Sequence, residues 1–346
     1  MKLALAGDTM LGRGVAEVLR AGKPDGLVSD EVAQLMRSAD LCVLNLECCI
    51  SLRGSCWPAA GKAFFFRASP AAVDLLLHLG VDCVTLANNH ALDFGHTALL
   101  DTLDALGAAG IAAVGAGADL ARARQPALLT AGGRRLAVLG VTDHAADFAA
   151  TPEGPGVAFA DLRRGTPQWL REAIAACDAD AVLVTPHWGP NRVAEPVPHV
   201  RAAAQELLAA GATLVAGHSA HVFHGVKGRV LYDLGDFVDD YATDPDLRND
   251  LGLLFLVTLD ERGPRRLEVV PLRLEYAHTG LADSDDAAWI RARFRAACAA
   301  LGTEVAEEDG RLVVALDSGS PGASPCAAGH PPLPPRQDIP PRPCDE

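Results

Sequence analysis

No apolar run in this sequence approaches the roughly 20 residues that cross a bilayer. Nor is there a surplus of basic residues: 30 lysines and arginines stand against 44 acidic residues, a formal net charge of −14. That balance argues against nucleic acid and anionic membranes as partners. The nine cysteines are odd in number and irregular in spacing, so they make no disulfide framework. Cys48, Cys49 and Cys56 lack the paired short spacing of a cysteine metal site and read as buried or free thiols. The opening MKLALAGDTM has only a few apolar residues before Asp8 and no small-residue cleavage site. It reads as a strand opening the domain, not as a signal peptide. Together these absences point to a cytoplasmic protein and leave its oligomeric state open.

What is present is a layered α/β pattern in a chain of 346 residues, 49% of them hydrophobic. Helical stretches at 71–79, 98–109, 167–177 and 200–210 each give way, through a short turn, to an apolar strand that delivers a loop. Those strands lie in VDCVTLANNH, IAAVGAG, DAVLVTPHWG and TLVAGHSAH. Continuous apolar strands of this kind are buried on both faces. The period varies too much for a solenoid. PALLTAGGRRLAVLGVT reads as a hairpin turning at Gly132-Gly133. GRVLYDLGDF, LGLLFLVTLD and PRRLEVVPLRLEY are further strands, the last two antiparallel, followed by a helix at 286–301 and the short strand RLVVAL. The expectation is α/β, a mixed sheet or two-sheet sandwich covered by helices, in one domain over residues 1–317. After Ser318 the chain carries nine prolines and reads as a disordered tail, 318–346, whose His330 and cysteines take no part in the chemistry.

The polar residues fall at strand ends. Asp8 follows LALAG, Asn45 and Glu47 follow LCVL, and Asn88, Asn89, His90 and Asp93 follow VTLA. His187 follows VLVTP, and His218, His221 and His224 follow LVAG at steps of three. In open α/β sheets the site lies beyond the carboxyl ends of the strands. Each residue alone has a structural reading: Asp8 as the cap of a helix over 10–19, Asn89 as a turn former, a histidine as a hydrogen-bonded brace. Five strands delivering Asp, Glu, Asn and His to one edge favour a shared site. Mixed oxygen and imidazole donors suit a divalent cation such as Mn²⁺, Fe²⁺, Zn²⁺ or Ca²⁺.

The ordered motifs GDTMLGR, NLE, NNHALDFG, HWG and GHSAHVFHG followed by YDLGDF resemble the capsule-biosynthesis CapA family over residues 1–241. The resemblance implies a calcineurin-like β-sandwich of mixed sheets flanked by helices. It implies a metal site of Asp8, Glu47, Asn89, His187, His218 and His221. His90 then stands near the substrate as acid or base, oriented by Asp93, with His224 and Asp236 as further catalytic candidates. Phosphoesterases of this fold have Asp-x-His where this chain has Asp8-Thr9-Met10, and a bridging Asp where it has Asn45-Leu46-Glu47. Asn191 and Asp236 stand where the family often has Glu and Asn. A single ion, or two unequal ones, follows from the missing ligand. The implied activity is metal-dependent hydrolysis of a phosphoester or amide-like bond. The alternatives are peptide epimerisation at an α-carbon, known on this fold in lasso-peptide epimerases, and a non-catalytic binding role in capsule assembly. The absence of a membrane anchor weighs against a role at the cell surface. The substrate class stays open between a small molecule, a peptide and a polyglutamate-type polymer. On an extended segment the side chains of Asn89 and His90 point in opposite directions, which turns His90 away from the ion and towards substrate.

Overall fold

The computed structural model of the chain describes residues 1–22, 26–58, 62–144 and 146–316. The proline-rich segment read as a tail lies outside the described residues. Two mixed sheets pack face to face, and helices cover both outer faces. In the larger sheet the central strands run Gly263–Glu275, Leu251–Asp260, Lys2–Thr9, Leu41–Leu46, Cys83–Thr85 and Ala112–Val114. The last four are parallel to one another, and the first strand pairs antiparallel with Leu251–Asp260. In the second sheet Ala181–His187 lies between Leu214–Ala216 and Arg134–Thr142, parallel to both. The hairpin from Ala127–Ala131 to Arg134–Thr142 turns at Gly132 (φ +57°) and Gly133 (φ +75°). Two successive positive φ values are what a tight turn between twisted strands demands, and glycine meets them without a Cβ penalty.

The pleat sorts alternate residues of each central strand into different cores. Leu3 and Leu5 point between the sheets, where they share a buried cluster with Val43, Val138, Leu183 and Leu214. Ala4 and Ala6 point the other way, into a cluster with Val15, Val32, Leu76 and Leu99 of the helical layer. The outer face of the second sheet is closed by Leu170, Val200 and Leu207 over Val184 and Val215. Burial on both faces explains why these strands read as unbroken apolar runs.

Helices form near the expected positions, at Ala72–His78, Gly95–Ala108, Gln168–Ala175 and Pro198–Ala209. The helix Asp30–Arg37 is capped by Ser29, which accepts from Val32 N, and has Asp30 and Glu31 in its first turn; both features oppose the unpaired amides at a helix start. The first helix begins at Arg13, with Gly12 at its N-cap position and no side-chain cap. Asp8 therefore caps nothing and is left for other work. Among the described residues no helix is long and apolar enough to cross a membrane, and no described cysteine is paired.

Candidate metal centre

The strands bring the polar residues together by register. Asp8 lies opposite Asn45 on one side and Asp236 on the other, because the short strand Asp236–Val238 runs parallel to the end of Lys2–Thr9. That approach needs Gly7, since a Cβ there would fall 1.8 Å from the Gly235 carbonyl oxygen. Glu47 follows at once, its amide donating to Thr9 O at 3.0 Å. In the second sheet His187 ends its strand and forms a bridge with His218. The loop after His218 is tightly wound: Ser219 has φ +113° and His221 φ +59°. Asp233 holds that loop, accepting from Ala220 N at 2.8 Å and from Gly235 N at 2.9 Å.

Asp8 is the hub. Its Oδ1 accepts from Asn45 Nδ2 at 2.7 Å and lies 3.3 Å from His218 Nδ1, while its Oδ2 lies 3.3 Å from His221 Nδ1. His221 Nδ1 also meets Asp236 Oδ1 at 2.8 Å. Glu47 Oε1 is 4.0 Å from His187 Nε2 and 3.8 Å from His90 Nε2. Two sets of donor atoms lie within 4.8 Å of one another, Asp8–His221–Asp236 and Asp8–Glu47–His187. Glu47 Oε1, His218 Nδ1, Asp236 Oδ2 and Asn89 Oδ1 are buried with no hydrogen-bond partner. Buried polar atoms are normally paired, so unpaired carboxylate and imidazole atoms around one carboxylate fit a divalent cation. Asp8 belongs to both sets, which gives room for one ion or for two sharing it.

Electrostatics agree with this fit. Burial, followed by the charge of Asp8, pushes the Glu47 and Asp236 carboxyls well above the usual carboxylate range. Burial would raise Asp8 too, but the imidazoles of His218, His221 and His187 gathered around it together hold it low. Burial drives His187 well below the ordinary histidine value, so its ring is neutral and offers a lone pair. Glu47 and Asp236 thus crowd an ionised Asp8, and a cation is what relieves such crowding.

His90 stands beside this cluster with its Nδ1 2.7 Å from Asp93 Oδ2. Asp93 in turn accepts from Phe66 N at 2.6 Å and pairs with Lys62 Nζ at 2.7 Å. Burial lowers the pKa of His90 and Asp93 opposes that shift. The segment from Asn88 is a turn and not an extended strand, which corrects the expected geometry. The reason is local: Asn88 Oδ1 accepts from His90 N at 3.0 Å, and Asp93 N donates to His90 O at 3.2 Å. His90 is set apart from the hub by that turn, not by strand alternation. Asn88 also donates to Asn45 Oδ1 at 2.9 Å, fixing the amide that bridges Asp8, Glu47 and His187.

Of the expected site residues, Asp8, Glu47, His187, His218, His221 and Asp236 are brought together, with His90 and Asp93 alongside. Asn89 offers only its unpartnered Oδ1. His224 is not brought to this cluster: its Nε2 meets Val193 O at 2.8 Å, in a pocket with Trp188, Val200 and Tyr232. Sequence reasoning missed a second carboxylate–imidazole pair. Asp143 Oδ1 lies 2.7 Å from His144 Nδ1, His144 Nε2 is 2.9 Å from Ser219 Oγ, and the His144 ring packs 5.3 Å from that of His187. The signal was present, because these two residues directly follow the strand Arg134–Thr142. Lys62 had no such signal, since its contact with Asp93 spans a loop.

A family model described as bacterial capsule synthesis protein PGA_cap matches residues 2–241. The chain is 33% identical over 343 residues to a Mycobacterium tuberculosis protein named "Probable polyglutamine synthesis accessory protein", covering 83% of this chain and 88% of that one. It is 30% identical over 286 residues to the capsule biosynthesis protein CapA of Bacillus anthracis, covering 80% and 68%. Among solved structures it resembles a hypothetical protein from Thermus thermophilus at 18% identity and a TM-score of 0.41, covering 81% of this chain and 96% of that one.

Proposed function

The chain belongs to the bacterial capsule synthesis protein family PGA_cap, and from that membership and its buried donor set we propose that it is a metal-dependent hydrolase. The bond cleaved is a phosphoester or amide-like bond in a substrate of polyglutamate-type polymer synthesis. The observation that carries this reading is the set of unpartnered atoms around Asp8: Glu47 Oε1, His218 Nδ1 and Asp236 Oδ2. Asp8, Glu47, His187, His218, His221 and Asp236 would hold the ion, with Asn89 Oδ1 as a neutral donor. When bound, a divalent cation supplies Lewis acidity towards the substrate oxygen and the attacking water. The remaining work falls to the chain's own residues. Asp93 accepts from His90 Nδ1–H, so Nε2 carries the lone pair and faces the cluster. His90 Nε2 takes the proton from the nucleophile or returns it to the leaving group. Lys62 and the Phe66 amide hold Asp93 in place. Asn45 orients Asp8 and Glu47.

Metal analysis of the purified full chain, beside His218→Ala and His221→Ala, tests the reading. The wild type should carry near-stoichiometric divalent metal and both variants should lose most of it. Equal, negligible metal in all three would reject it. The second Asp–His pair favours a second reading, epimerisation, which needs a base on each face of an α-carbon. Incubation with a peptide substrate in D₂O separates the two, because epimerisation places deuterium at the α-carbon and hydrolysis does not.

A further inference from the structure

Arg13 lies at the edge of the cluster in a cage of aromatic rings. Its guanidinium carbon is 5.0 Å from the Phe64 ring centre, 5.8 Å from Phe66 and 5.9 Å from Tyr241. Two of those rings reach the site itself: Phe66 packs 4.5 Å from the His90 ring, and Tyr241 packs 5.6 Å from His221. Arg13 is therefore one ring away from both the proton-transfer group and the donor cluster. We propose that Arg13 is the anion-binding residue of this site, and that it takes a carboxylate or phosphate group carried by the substrate beside the reacting bond. The proposal rests on the reading of the cluster as a catalytic centre and adds the charge class of its substrate.

The alternative is that Arg13 exists to pair with Asp240. That pairing uses little of the side chain. The shortest approach is Nε to Asp240 Oδ2, at 3.3 Å, and the same oxygen already accepts from Gly14 N at 2.9 Å. Among the described residues the two Nη groups make no hydrogen bond to a carboxylate, and the Arg13 side chain is 36% exposed. A partly exposed guanidinium held among rings and anchored through Nε leaves its two-pronged edge for a ligand, and that edge matches a carboxylate or phosphate. Charge supplies the second argument. Asp8, Glu47, Asp93, Asp236 and Asp239 are all buried here, in a chain of net charge −14. The net charge of the chain disfavours the approach of an anion, and a fixed cation at the entrance offsets this for an anionic substrate. A neutral or cationic substrate would have no use for one there.

Calorimetric titration of the full-length, metal-analysed protein with glutarate, glycerol phosphate and acetate tests this. Acetate carries a single charge and can engage the cluster alone. Glutarate offers Arg13 a second carboxylate, and glycerol phosphate offers it a phosphate beside neutral hydroxyls that can face the cluster. Arg13→Gln should weaken glutarate or glycerol phosphate about 10- to 100-fold while metal content and acetate binding stay unchanged. Arg13→Lys, which keeps charge without the fork, should recover part of that loss. Loss for glutarate alone identifies carboxylate recognition, and loss for glycerol phosphate alone identifies phosphate recognition. Unchanged affinities for both in both variants would overturn the assignment. So would a wild type that carries metal but takes up none of the probes, and that result would leave the metal reading standing.

Discussion

Replacing His224 with glutamine should remove one identifiable component of the protein's acid sensitivity. The His224 ring is buried, its Nε2–H donates to Val193 O at 2.8 Å and its Nδ1 has no partner. Burial, followed by the positive charges of Arg293 and Arg201, disfavours protonation and lowers its pKa from 6.5 to about 4. Between those values the unfolded chain binds a proton at this position and the native protein does not. Stability from His224 is complete above about pH 6.5 and is lost as the pH falls towards 4. The gap corresponds to about 3 kcal/mol. The assay is urea denaturation of wild type and His224→Gln from pH 7 to pH 4, compared as the difference between the two proteins. Glu47, Asp233, Asp236 and Asp239, whose carboxyls are raised chiefly by burial, act in the opposite sense, binding protons in the native state. Both proteins carry them, so their contribution cancels in the difference. The stability advantage of wild type should shrink by about 3 kcal/mol across this range. A difference that stays flat would refute the argument, because it would mean that the native imidazole takes a proton as readily as the unfolded one. Retained metal in the variant would separate a bracing role from a site role.

His90→Gln should reduce turnover by about a hundred- to ten-thousand-fold with metal content nearly unchanged; parallel loss of metal would make His90 a ligand. Gly7→Ala should cost about 1–3 kcal/mol or more in urea denaturation, because its Cβ would fall 1.8 Å from Gly235 O and force apart the strands that pair Asp8 with Asp236. A variant as stable as wild type would show that this approach relaxes freely. Leu183→Ala, in the core between the sheets, should cost about 2–5 kcal/mol; a cost under about 1 kcal/mol would argue against close packing of the two sheets there.

The layered architecture was legible because both-face burial leaves a direct mark, the unbroken apolar strand. The antiparallel pair Leu251–Asp260 and Gly263–Glu275 and the Gly132-Gly133 hairpin were equally open to reading, since local turn chemistry fixes each. The strand-end rule found Asp8, Glu47, His187 and His218 because each sits within two residues of a strand's carboxyl end. The same rule covers Asp143 and His144, which follow the strand Arg134–Thr142 but stand in none of the ordered motifs. Three things lay beyond the sequence. The Asp8–Asp236 neighbourhood depends on a pairing across more than two hundred residues that only Gly7 and Gly235 permit. The turn at Asn88 depends on a side chain closing back on the His90 amide. His224 shares the three-residue step of His218 and His221, but that step is helical in appearance only. The positive φ values at Ser219 and His221 wind the loop, so equal spacing in sequence does not become a shared direction in space.

Energetics give the cluster its meaning. A buried core of leucines would stabilise the edge of the sheets at no electrostatic cost, whereas Asp8, Glu47 and Asp236 must be desolvated together and repel one another. Hydrogen bonds offset part of that cost at Asp8, through Asn45 and Ser219 N, and at Asp236, through His221. They do not reach Glu47 Oε1 or Asp236 Oδ2. An arrangement that costs stability at its centre, and is held by a strained loop, two close-packed glycines and an amide bridge, makes physical sense as a preorganised ligand cage. The Asp93–His90 pair beside it has the complementary property. His90 Nδ1, Phe66 N and Lys62 Nζ all meet Asp93, while His90 Nε2 faces Glu47 Oε1 at 3.8 Å. The fold therefore spends its hydrogen bonds on orienting the groups and leaves the reactive atoms free.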